Sequence, residues 1–199
     1  MTAVSLPMPV GPWTATPSLV DFGNDVTPIA GGAQQRNGLM GTRFAVEFTD
    51  LPPYDGEWAD ELLGAMLEAQ TRGQTVLANV PSRNPALKTL GAPLVNGANQ
   101  LGSTLTIDAV TARQIRPRYF SFVAGGRNYL HYVTRSVVAD GAGNAVLNIA
   151  PMLRVSPLDN TPLEFVTPKI EGFIPLGLKW TADRLTGALT FSFSIAEAV

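Results

Sequence analysis

Apolar and polar positions alternate with a period of two along much of the chain. In TRFAVEFTD (Thr42–Asp50), Phe44, Val46 and Phe48 fall on one face, with Arg43 and Glu47 on the other. That is the pattern of a half-buried strand. Similar short runs recur: TVLANV up to Pro81, STLTIDAV before a break at Arg116–Pro117, and NAVLNIAPMLRVS. YFSFVAGGRNYLHYVTRSVV reads as two strands about a Gly125–Gly126 turn. LGLKWTADRLTGALTFSFSI predicts a hairpin whose last strand sets Leu189, Phe191, Phe193 and Ile195 against Thr190, Ser192 and Ser194.

The period changes once, in DGEWADELLGAMLEAQTRG. Trp58, Leu62, Met66 and Ala69 recur at helical spacing, and Leu63 and Leu67 widen the stripe. Asp55 is the candidate N-cap, Asp60 and Glu61 sit where the helix dipole favours anions, Arg72 lies in the last turn and Gly73 supplies the stop. The pattern predicts a helix over about residues 56–72. Trp58 and Met66 could line a ligand groove, but packing of a helix on a sheet explains the same stripe. Residues 1–40 are rich in Pro, Gly, Asn and Thr without a clear period, which predicts an extended N-terminal arm or irregular strands. The expected fold is mainly β, a β-sandwich or barrel-like domain with one amphipathic helix, and residues 1–199 form one domain.

Composition sharpens this picture. The 19 glycines and 16 prolines of this 199-residue chain fall between short apolar runs, as expected of many strands joined by turns. Charged residues make up only 15%, against about a quarter in an average soluble domain, so a partner subunit is the expected cover for part of the surface. The net charge of −2 gives no general field for nucleic acid. The absence of cysteine removes disulfides, thiolate nucleophiles and Cys-type metal sites. The N-terminus lacks the pattern of a signal peptide, and no run approaches the ~18 apolar residues of a spanning helix. A soluble protein made in a cytoplasm, without membrane insertion, is expected.

Candidate chemistry is sparse. Gly141, Ala142, Gly143 and Asn144 form a glycine-rich loop, but a β-like segment broken by Pro151 follows where a phosphate-binding loop would open a helix. A hairpin turn between TRSVVAD and NAVLNIAP is the expected role. His131 is the single histidine, and any triad or histidine base would have to use it. A strand position facing solvent or a neighbouring subunit is the simpler reading. Asp60, Glu61 and Glu68 belong to an exposed helix face. Asp50, Asp55, Asp108, Asp140, Asp159 and Asp183 sit at turns or strand ends, where Asp is a turn former. Arg113, Arg116 and Arg118 form a local cluster beside Tyr119 and Phe120. It reads as an intersubunit salt-bridge patch or, without a continuing basic stripe, less well as a single-strand nucleic-acid site. No catalytic, cofactor-binding or metal-ligating set emerges.

One stretch resembles a known family. GAPLVNGANQLGSTLTIDAV, followed by YFSFVAGGRNYLHYVTRSVVADGAGNAVLNIAPMLRVSP, is similar over about residues 92–156 to a module of tail proteins of long-tailed bacteriophages. The matching positions are Gly97, Gln100, Gly102, Leu105 and Asp108; Gly126, Tyr129 and Val133; Asp140, Gly143, Ala145 and Leu147; and Pro151, Leu153 and Arg154. The resemblance is to the distal tail, or baseplate hub, group. It implies a structural virion protein, not an enzyme, that forms a homo-oligomeric, hexameric ring at the tail tip. The ring joins the tail tube to tape-measure, hub and fibre proteins. Larger members add a carbohydrate-binding-like domain, so this chain corresponds to the ring-forming part. A tail tube or terminator ring is the alternative within the same machine. An envelope-acting hydrolase or sugar-binding module, using Asp108 and Asp140 or Trp13, Trp58 and Trp180, is the alternative from another class.

Overall fold

The structure is a computed structural model that describes residues 3–8, 13–29, 31–38, 41–49, 51, 57–81 and 90–198. Asp50 and the proposed N-cap Asp55 lie outside these residues. Among them the strands are β1 (Val4–Ser5), β2 (Thr14–Val20), β3 (Asn24–Val26), β4 (Gln35–Asn37), β5 (Arg43–Thr49), β6 (Val76–Asn79), β7 (Gly91–Val95), β8 (Gly102–Val110), β9 (Gln114–Ile115), β10 (Tyr119–Ala124), β11 (Arg127–Val133), β12 (Val137–Val138), β13 (Ala145–Leu153), β14 (Leu163–Glu164), β15 (Lys169–Phe173), β16 (Trp180–Ala182), β17 (Leu189–Phe191) and β18 (Phe193–Glu197). The helix α1 spans Glu57–Arg72. Among the described residues the chain is mainly β with one helix and a nearly closed barrel-like sheet, as the alternation predicts.

Two six-stranded sheets organise the molecule. The first has the order β1-β6-β15-β18-β5-β2. Its inward residues Phe44, Val46, Phe48, Phe193 and Ile195 share a core with Ala59, Leu62, Met66 and Ala69 of α1. The helix forms here because its buried residues recur every three or four positions, so one stripe meets the sheet. Leu67, placed in that stripe by its spacing, is instead 38% exposed. Gly73 ends the helix at φ 61, a conformation that glycine adopts without steric cost.

The second sheet has the order β14-β10-β11-β13-β8-β7. Its two edges meet. Leu94 bridges Pro162, Val95 N–H donates to Thr161 O at 3.0 Å, and Asn160 N–H donates to Val95 O at 2.8 Å. The barrel interior holds Val95, Leu105, Ile107, Phe120, Phe122, Leu147 and Leu153.

Two expectations change in detail. The first 40 residues are only partly an arm, since β2 pairs with β5 along its whole length, from Thr14↔Thr49 to Val20↔Arg43. Beyond it β3 and β4 form a separate two-stranded sheet whose residues are all exposed. The Gly141–Asn144 loop is a turn, closed by Asp140 N–H to Asn144 O at 2.9 Å. However, β12 ladders with β9 rather than with β13. The reason is burial: this pairing lays Ile115, Val137 and Ala139 on the barrel core.

Candidate functional site

Barrel and first sheet meet along β11, and the meeting is polar. Side chains of β11 alternate. Tyr129 and Val133 enter the barrel core, while Leu130 and Tyr132 join the core under the helix. Strand β13 pairs with β11 only at Tyr132↔Ala150 and Val133↔Ile149, so the earlier N–H groups of β11 need other acceptors. Two buried carboxylates from the first sheet supply them. Glu171 of β15 accepts from Asn128 N–H at 2.8 Å and from the Thr75 hydroxyl at 3.0 Å. Glu197 of β18 accepts from Leu130 N–H at 2.8 Å and, more weakly, from Phe44 N–H at 3.4 Å.

Glu197 also meets a cation. Arg154 Nη2 lies 2.6 Å from Glu197 Oε2, with side chains 6% and 0% exposed. Charge attraction holds the pair, because no guanidinium nitrogen of Arg154 has a hydrogen bond of good geometry. The guanidinium carbon also lies 5.4 Å from the Tyr129 ring centroid, within cation–π range. Burial holds the Glu197 carboxyl above its ordinary pKa, partly offset by Arg154 and the two N–H donors. Arg154 thus has its carboxylate partner inside the chain.

His131 is corrected by the structure: it faces neither solvent nor a surface. It is fully buried on the barrel side of β11, stacked on Phe122 at 5.2 Å and Phe120 at 5.7 Å. Neither ring nitrogen has a hydrogen bond of good geometry, although backbone groups of Tyr129 and Met152 approach. Burial, and then the charge of Arg154, depress its pKa to about 3. A histidine held neutral inside an aromatic stack has no access to a substrate proton.

Other residues between positions 92 and 156 serve the turns. Gln100 fastens one. Its amide nitrogen donates to Asn96 O, Gly97 O and Thr106 O, at 2.9, 3.0 and 3.1 Å, while its oxygen accepts from Thr106 N–H at 2.6 Å. Gly97, Gly102, Gly126 and Gly143 all have positive φ. Asp140 accepts from the N–H groups of Ala142 and Asn144 at 2.9 and 2.8 Å. The side-chain amide of Asn144, and then these N–H groups, hold the exposed Asp140 carboxyl below its ordinary pKa. Asp159 accepts from Gly97 N–H at 2.7 Å, and Asp183 from Leu185 N–H at 2.8 Å. Asp140 and Asp183 are thus committed to their own loops, whereas Asp159 ties its loop to the one that holds Gly97. Asp108 lies on β8 opposite Leu94, with Oδ1 buried and without a hydrogen-bond partner. Asp60, Glu61 and Glu68 are exposed on α1, and Arg72 neutralises Glu68. Among the described residues no group of three or more His, Asp or Glu could hold a metal ion.

The tryptophans divide similarly. Trp13 packs on Phe48, with ring centroids 5.7 Å apart, and Trp58 packs half-buried against the helix-side core. Trp180 remains exposed on β16. The arginine cluster also splits. Arg113 and Arg116 are exposed, whereas Arg118 is 5% exposed. Its Nε donates to Arg116 O at 3.2 Å, and both Nη atoms lack a partner.

Large apolar side chains stand in solvent on irregular segments and hairpins: Ile29 at 108%, Leu185 at 94% and Leu176 at 91% exposure. Beside Leu176, an apolar cleft of about 320 Å³ opens between the end of α1 and residues 173–176, lined by Ala69, Gly73, Phe173 and Ile174. Among the described residues no helix is long and apolar enough to cross a membrane.

Two residues of the junction escape a sequence reading to different degrees. Glu197 carries a signal: Phe193, Ile195 and Glu197 share one face of β18, so the alternation itself places a carboxylate inward. Glu171 carries none, because Ile170, Glu171 and Gly172 are all buried in succession. No protein-family model matches the chain, and no curated protein matches it in sequence.

Proposed function

We propose that this chain is a structural virion protein of a bacteriophage tail. It forms a homo-oligomeric ring at the distal end of the tail and joins the tube to hub and fibre proteins. The reading is carried by the resemblance over residues 92–156, whose signature positions coincide with residues that set the barrel's turns and its junction: Gln100, Gly102, Asp140, Gly143 and Arg154. Such positions specify a fold, and function is grafted on a fold, so assembly needs separate support. That support is the exposed apolar set, Ile29, Leu176 and Leu185, together with a charged content of 15%. Apolar side chains this exposed, on a surface this poor in charge, suit burial against other subunits. A catalytic role has little to build on, since Asp140, Asp159 and Asp183 are committed to backbone N–H groups of the turns and His131 is sealed in the barrel.

Native mass measurement of the purified protein over a concentration series, with image averaging of tails that contain it, tests the reading. The expected result is a closed ring occupying one position at the tail tip. Copies stacked along the whole tail would replace it with a tube protein, and a single ring at the head-proximal end with a terminator. A protein monomeric at high concentration and missing from tails would overturn it.

A further inference from the structure

The two-stranded β9–β12 ribbon carries an uncompensated positive charge. Arg113 and Arg116 flank β9, and Arg135 precedes β12; all three are exposed. Antiparallel pairing of Ile115 with Val137 and Gln114 with Val138 brings these short segments side by side. None of the three arginines forms an ion pair with a described residue. Asp140, the first acid after Arg135 in the chain, spends its carboxylate on its own turn. Arg118 adds a fourth guanidinium in the same stretch, 5% exposed and with both Nη atoms unpartnered. A buried cation without a counter-charge raises the potential of the surface above it, because little water screens it.

The opposite charge lies on the other half of the molecule. Glu57, Asp60 and Glu61 occupy the exposed side of the first turns of α1 and form no ion pair with a described residue. Their place near the helix N-terminus has a local benefit, since anions there complement the dipole.

We propose that the arginine ribbon of one copy docks on the acidic first turns of α1 in the next copy. The occupant is a second copy because the chain carries both complementary patches, on different elements, and neither is answered by an ion pair among the described residues. Contact between two different patches is heterologous, and a heterologous contact closes into a ring or continues as a filament. The inference rests on the ring reading above and specifies which faces meet.

Reversing the charges tests it. One variant carries Arg113→Glu and Arg116→Glu, a second carries Glu57→Lys and Glu61→Lys, and a third carries all four. Glu57→Gln with Glu61→Gln controls for lost helix stability, and the melting temperature of each variant reports folding. The readout is the concentration of half-assembly, from native mass measurement at 50 and 500 mM salt. Each reversed pair should raise that concentration at least tenfold at low salt, the neutralised pair less, and the fourfold variant should recover it. High salt should weaken wild-type assembly. Assembly indifferent to both reversals, or no recovery in the fourfold variant, would overturn the docking while leaving the ring intact. A wild-type protein that never assembles would overturn both. A labelled single-stranded oligonucleotide, retained by the wild type and lost in the Arg113→Glu/Arg116→Glu variant without a change of assembly, would assign the ribbon to nucleic acid instead.

Discussion

Arg154 and Glu197 form an ion pair across the boundary between barrel and first sheet, at 2.6 Å and shielded from water. A buried pair gains little net stability over an apolar pair of the same volume, but removing one partner strands a charge. Arg154→Met should therefore cost about 3–5 kcal/mol, read as a shift in urea midpoint. Glu197→Gln should cost a comparable amount through the stranded guanidinium, although an amide oxygen still serves Leu130 N–H. The double variant should lose much less than the sum of the two. Additive losses would mean that the pair does not act as a unit.

The barrel histidine sets an acid limit on stability. The folded pKa of His131 is depressed from 6.5 to about 3, so the unfolded chain binds the proton more readily. This contribution is intact above pH 6.5 and is lost as pH falls towards 3. Glu197 acts in the opposite sense: its folded pKa is raised by burial above 4.5, so its contribution is fullest below pH 4.5 and is lost as pH rises through the raised value. The effect of His131 alone appears as the difference between wild type and His131→Leu. Below pH 6.5 the variant should gain on the wild type by about 1.4 kcal/mol for each pH unit. Parallel stability–pH curves would contradict the depressed pKa.

Gln100 presents its amide donors to three backbone carbonyls. Gln100→Ala should cost about 0.5–1.5 kcal/mol, the net worth of a typical hydrogen bond, because the turn is only part-buried. Gln100→Glu should be at least as harmful at pH 7, because a carboxylate then faces the same carbonyls. Protonation gives that carboxyl one donor, so its folded pKa should rise and its stability should recover on acidification towards pH 4. Thermal melts of both variants at pH 7 and pH 4 measure this. A Gln100→Glu variant that melts with Gln100→Ala at both pH values would rule it out.

Gly143 is constrained twice. It sits at φ 85, and a Cβ there would come 2.8 Å from the carbonyl oxygen of Val110. Positive φ alone costs an ordinary residue roughly 1–2 kcal/mol, and Asn tolerates that region better than Val. The close approach penalises both. Gly143→Asn and Gly143→Val should each lower the melting temperature, with Val lower, and Gly143→Ala should not be neutral. A Gly143→Ala variant melting with the wild type would show that the turn yields.

Much of the architecture can be read from residue order because its determinants are local. The alternation of Phe44, Val46 and Phe48, the single helical stripe, and the Gly125–Gly126 and Gly141–Asn144 turns each reflect neighbours a few residues apart. What escaped depends on distant partners. The choice of β9 over β13 by β12 is decided by burial of Ile115 and Val137 on a core assembled from the whole barrel. In the sequence His131 is an ordinary strand residue, and only closure of the sheet makes its side of β11 an interior. Glu171 gives no local sign of its role, since its acceptor duty exists only because β13 leaves β11 early.

The carboxylates that take the place of a neighbouring strand on β11 also impose an order in time. Leu130 is synthesised 67 residues before the glutamate that accepts its N–H, and Asn128 is 43 residues ahead of its own acceptor. A nascent chain can build the barrel's strands and turns early, yet that junction stays open and wet until β15 and β18 have left the ribosome. Locking of the junction therefore follows the barrel's strands and waits for the synthesis of Glu197.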